Sequence, residues 1–100
     1  VQKGKLKEGS VLLKVGSDGS TNVVQLQKEG KAMELNIFTP AQPWEAQYEL
    51  DPKGALVLRS GEWAFMADPA QSDELGFFNG TALFQGKPYE GVQYRVLVLK

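Results

Sequence analysis

Trp44-Glu45-Ala46-Gln47-Tyr48-Glu49-Leu50, followed by Asp51-Pro52-Lys53-Gly54, is the stretch that decides the fold class. Trp44, Ala46, Tyr48 and Leu50 share one parity; Glu45, Gln47 and Glu49 share the other. A pleated strand sends successive side chains to opposite sides, so this spacing predicts a strand with one apolar face and one wet face. The tetrapeptide after it has the chemistry of a type I turn, with Asp first, Pro at a preset φ and Gly last. A strand that ends this way is one arm of an antiparallel hairpin.

The same alternation continues on both sides. Met33, Leu35 and Ile37 alternate with Glu34 and Asn36, which predicts a strand whose buried face carries the three apolar residues. Ser17-Asp18-Gly19-Ser20 closes a strand over 11–15, and Lys28-Glu29-Gly30-Lys31 separates strands over 23–27 and 32–38. Ser60-Gly61 joins 55–59 to 62–67, and Gly86-Lys87-Pro88-Tyr89-Glu90-Gly91 links 77–85 to 92–99. Short strands at this spacing read as a meander that closes on itself or folds into two layers. The last strand turns apolar on both faces at Val96-Leu97-Val98-Leu99, which predicts cover on both sides. Asp68-Pro69 followed by Gly76 carries helix start and stop signals, which predicts a short helix near 69–75. The two prolines of Thr39-Pro40-Ala41-Gln42-Pro43 make that segment a connector, because neither can donate to a sheet ladder.

The expected architecture is therefore one all-β domain over residues 1–100. It is a small antiparallel barrel or sandwich of about eight or nine strands with one short helix. One hundred residues fit a single domain, and apolar residues spread along the whole chain can build its core. No apolar run approaches the roughly 20 residues of a membrane-spanning helix. No signal-peptide pattern opens the sequence, and a start at Val1 is expected of a processed or excised piece.

Composition narrows the chemistry. The chain has no histidine and no cysteine. That removes the commonest general base, the Ser-His and Cys-His nucleophiles, thiolates, and most zinc sites. No phosphate-cradling glycine loop is present. The expectation is a protein that is not an enzyme and uses no cofactor. Net charge is −1, but residues 1–31 carry six lysines against three acidic groups, while 32–100 carry five basic groups against nine acidic ones.

The binding candidates are of three kinds. Phe77 and Phe78 are adjacent, so a strand turns one inward and leaves the other, Phe77, as an anchor. Tyr89 lies in the 86–91 loop. With residues 39–43, these two favour a protein partner or self-association through loops or an edge strand. Lys3, Lys5 and Lys7 recur at every second residue, giving a basic stripe that in an OB-like barrel would track single-stranded nucleic acid; on an edge strand the same lysines deter aggregation. Trp44 and Trp63 are the candidates for a carbohydrate or other small ligand in a cavity. Their parity, shared with Ala46 and Phe65 respectively, predicts that both lie in the core.

Overall fold

Each predicted turn joins two antiparallel neighbours. The structure, a computed structural model, describes residues 6–38 and 42–100. Its strands are β1 (Val11–Gly16), β2 (Thr21–Leu26), β3 (Lys31–Asn36), β4 (Trp44–Leu50), β5 (Leu56–Ser60), β6 (Trp63–Ala67), β7 (Phe77–Phe84), β8 (Lys87–Pro88) and β9 (Tyr94–Val98). The strand order is β6-β5-β4-β3-β2-β1-β9-β7-β8, and β6 also pairs with β7. That last pairing closes an eight-stranded antiparallel barrel, to which the two-residue β8 adds on β7. The domain is a barrel and not a sandwich.

Local chemistry sets the corners. Asp51 Oδ1 accepts from the backbone N–H groups of Lys53 (2.8 Å) and Ala55 (2.9 Å), and Gly54 takes the left-handed φ of +91° that the turn needs. Asp18 Oδ1 accepts from both the N–H and the hydroxyl of Ser20. The helix expected over 69–75 is a single 3-10 turn, Pro69–Gln71, capped by Asp68 Oδ1 accepting from Ala70 N–H. It stops there because Asp73 Oδ1 takes the N–H groups of Leu75 and Phe77, a local alternative that competes with helical bonding.

Asp73 also receives Arg95, whose guanidinium donates to its Oδ2 at 2.6 Å. Desolvation pushes this carboxyl up. The N–H groups of Phe77, Leu75 and Gly76, with Arg95, outweigh it and hold the group below its ordinary 3.8. A carboxyl depressed on folding adds stability above its unfolded pKa and loses it as pH falls through the lowered value. The advantage of wild type over Asp73→Asn in thermal unfolding is therefore expected near neutrality and to vanish at the acid end of a pH series. An advantage that persists at the lowest pH would show that the charge is not its source.

The barrel has two unlike ends. At one, Leu6 enters the interior behind the turn at residues 7–10, where Ser10 Oγ accepts from Lys7 N–H. Leu12, Leu26, Leu56 and Val98 fill that end, and the Tyr48 hydroxyl donates to Gln27 O at 2.8 Å. Burial, and then the charge of Glu8, push the Tyr48 phenol up. At the other end the inward positions are Lys14, Asn22, Glu34, Trp44, Ser60, Trp63 and Tyr94, and among the described residues no side chain plugs the opening. The middle is shaped by size. Ala32, Ala46, Ala67, Ala82 and Gly80 leave room for the single ring of Phe65.

The phase of β3 is the reverse of the one its apolar residues predict. Ala32 and Glu34 point inward and are buried, whereas Met33 and Leu35 face outward half-buried and Ile37 is exposed. Glu34 finds an ionic partner inside, and the outer wall supplies apolar neighbours. The cross-strand partners Phe77, Leu97, Leu13, Val23 and Leu35 form an apolar row over β7, β9, β1, β2 and β3. Leu97 is only 8 % exposed in that row, so Val96, Leu97 and Val98 have the two-sided cover expected of the last strand, whereas Leu99 lies beyond β9 and is exposed.

Candidate functional site

Around the open end lie residues 17–20, 37–38, 42–43, 61–62 and 85–93. Gly61, at φ +59°, takes the first central position of the two-residue β5–β6 turn and so sets Trp63 opposite Ser60 at the rim. Inside lies a half-enclosed cavity of about 310 Å³, with Phe65 as its floor and Trp44, Trp63 and Tyr94 on its walls.

Lys14 and Glu34 meet on this floor. They project from β1 and β3, either side of β2, and their inward parity is fixed by the register Leu12↔Val24 and Leu26↔Ala32. Lys14 Nζ donates to Glu34 Oε2 at 3.0 Å, and the two side chains are 12 % and 6 % exposed. Asn22 Nδ2 donates to the same oxygen at 2.6 Å. The ammonium also sits 4.3 Å from the Phe65 ring centroid and 5.6 Å from that of Tyr94, whose ring meets Phe65 edge-on at 5.5 Å. The negative faces of the two rings stabilise a cation that one carboxylate holds on its other side. Burial first, then the charges of Asp18, Tyr89 and Glu34, push the Tyr94 phenol up, so it stays a neutral hydroxyl at the cavity wall.

The rim is aromatic. Trp63 packs against Phe84 with ring centroids 4.8 Å apart, and against Tyr89 edge-on at 5.3 Å. Trp44 is 37 % and Trp63 is 43 % exposed. Their parity predicted core positions, and they do point inward; they stay open because they occupy the last inward layer before the mouth. Phe38, 71 % exposed, lies in the β3–β4 connection at this same end.

The structure thus brings together three of the sequence-predicted residues: Trp44, Trp63 and Tyr89. Phe77 is elsewhere, on the outer wall toward the closed end, half-buried beneath Arg95, whose guanidinium stands 4.6 Å over its ring. Lys7 is exposed in the turn at the closed end, and Lys3 and Lys5 lie outside the described residues. Of the 39–43 segment, Gln42 and Pro43 are described, and both are exposed at the mouth. Lys14, Glu34 and Asn22 were not singled out from sequence. The signal was present in the parity that Lys14 shares with Leu12, and Glu34 with Ala32.

Chemically, the arrangement offers one carboxylate, one ammonium, hydroxyls from Ser60 and Tyr94, and indole faces. Among the described residues no three Asp or Glu side chains gather as a metal site would require, and no helix is long and apolar enough to cross a membrane. Compared with known proteins, the chain matches no protein-family model, no curated protein and no solved structure, so site and fold stand on their own physics.

Proposed function

We propose that this barrel is a non-catalytic binding module that takes a small ligand through its open end. The observation that carries the reading is the cavity itself: a concave, mainly apolar space with four aromatic rings and a few convergent polar groups, the general form of small-molecule sites. Its size is at the lower end of the roughly 300–1,000 Å³ range of such sites. An inward-facing aromatic layer that no described residue covers, in an otherwise filled barrel, costs stability that further packing would have supplied. Binding accounts for that sacrifice.

Both tryptophans are at the mouth, so their fluorescence tests the reading directly. Acrylamide quenching of the free protein is expected between that of a core indole and that of the unfolded chain. Fragments from a small-molecule library are expected to protect both indoles and to shift their emission. A library that perturbs neither tryptophan would defeat the reading.

A second reading, self-association, is favoured by the outer apolar row from Phe77 to Leu35. Contiguous apolar patches on a soluble surface commonly mark interaction sites. Closure of the barrel leaves little main-chain edge to pair with, since among the described residues only the two-residue β8 ends the sheet, so contact would be side chain to side chain. Leu13→Lys and Val23→Lys are expected to abolish any dimer seen by sedimentation equilibrium. A wild-type monomer at millimolar concentration would dispose of this reading. For single-stranded nucleic acid, the eight-stranded meander differs from the five-stranded OB barrel in strand number and connection.

A further inference from the structure

We infer that the ligand of the barrel mouth is a neutral carbohydrate, held by hydroxyl groups on the Lys14–Glu34 pair and stacked on the rim indoles. The inference rests on the reading of the mouth as a small-ligand site and names the class that fits it.

Charge is the first constraint. Among the described residues, Lys14 and Glu34 are the only ionised side chains lining the cavity, and they neutralise each other. A charged ligand would bring an uncompensated charge into a half-enclosed space, where losing its hydration is costly. The ligand is therefore neutral.

Hydrogen bonding is the second. Glu34 Oε2 accepts from both Lys14 and Asn22, while Oε1 accepts from no described residue although the side chain is 94 % buried. Asn22 Oδ1 is buried with no partner among the described residues. An undonated buried acceptor costs about 1–3 kcal/mol. Beside the open carboxylate oxygen stands an ammonium with three protons, of which one is on Glu34. The complement is a group that donates to one atom and accepts from its neighbour, and a hydroxyl does both. Two adjacent hydroxyls satisfy the pair without adding charge. An alkyl chain satisfies neither partner.

Shape is the third. The polar floor and aromatic walls require a ligand with a polar edge and an apolar face. A pyranose ring has both, with its equatorial hydroxyls at the edge and its axial C–H groups on the face. Trp63, braced by Phe84 and Tyr89, is a fixed indole surface for that face, and Trp44 stands across the opening.

The test is a titration of the whole protein with neutral sugars (glucose, galactose, N-acetylglucosamine, cellobiose) beside glucuronate and glucosamine, read by tryptophan emission and by NMR of the indole N–H groups. At least one neutral sugar is expected to bind, and its charged counterparts more weakly by about tenfold. Trp63→Ala and Glu34→Gln should each weaken binding about tenfold or more. Because Glu34→Gln alone strands Lys14, the charge-free pair Lys14→Met/Glu34→Leu serves as a second variant, folded by circular dichroism and expected to bind no sugar. If sugars leave both indoles unmoved at tens of millimolar while heteroaromatic or apolar fragments shift them, the carbohydrate class is wrong and the small-ligand site stands. If neither sugars nor fragments shift them, both fail. Sugar binding unchanged in the charge-free variant would also overturn the inference.

Discussion

Glu34→Ala is expected to be among the most destabilising single changes in this protein, lowering the unfolding free energy by about 3 kcal/mol in urea titration. Removing the carboxylate leaves the Lys14 ammonium, 12 % exposed, without its counter-ion inside the barrel. It also strips Asn22 Nδ2 of its acceptor. The cost falls at the low end of the range for broken buried pairs because the Phe65 and Tyr94 rings retain part of the cation's stabilisation. Replacing both members at once has the opposite character. Lys14→Met/Glu34→Leu is expected within about 1 kcal/mol of wild type, or more stable, because neither desolvation penalty is then incurred. A Glu34→Ala cost near zero would mean that Lys14 reaches solvent through the mouth once released. The two results together separate what the pair does for folding from what it does for recognition.

Gly80→Val is expected to cost about 3 kcal/mol, and Gly80→Ala somewhat less. A Cβ at this position would run into Cζ of Phe65 and stand 2.8 Å from both of its Cε atoms. Gly80 has no left-handed φ, so the penalty is steric and lies in that ring. Phe65 has nowhere to go without loss, having packed core below it, the Lys14 ammonium above and Tyr94 at its side. Tilting it would raise the cavity floor. Phe65→Leu should therefore offset much of the Gly80→Val penalty, giving a strong favourable coupling in a double-mutant cycle by chemical denaturation. Strictly additive costs would show that the clash is with something else.

How legible the fold was depended on which residues carried the signal. Residues 44–50 alternate with charged or amide side chains outside and apolar ones inside, so period and phase agreed with the structure. Residues 32–37 gave the period correctly and the phase backwards. Period 2 says that faces alternate; it does not say which face is the interior when the interior holds an ion pair and the wall is apolar. Only the pairing of Ala32 with Leu26 and of Val24 with Glu34 settles that, and register is a property of two strands. The turns were legible because Asp, Pro and Gly act within four residues. Closure was not, since the partners Leu12 and Val98 are far apart in sequence. For the same reason the rim indoles read as core. Parity locates a side chain inside a barrel but carries nothing about its height along the axis, and height alone makes Trp63 a surface and Phe65 a floor. The helix signals at 68–76 were sound as far as the cap, and Asp73 then diverted the chain.

The meander order has a kinetic consequence. Around the barrel, β1 through β7 pair each with the next in the chain, and β9 reaches β7 past a short excursion. Such hairpins can form early, from nearby residues. The seam between β1 and β9 cannot, because it joins residues 12–16 to 94–98 and must wait for the ends of the curled sheet to meet. Until it does, the growing sheet has two bare edges, the template on which other chains pair. The last strand of the barrel in chain order is thus the one that turns an aggregation-prone ribbon into a sealed cylinder, and the window of exposure ends when its five residues dock.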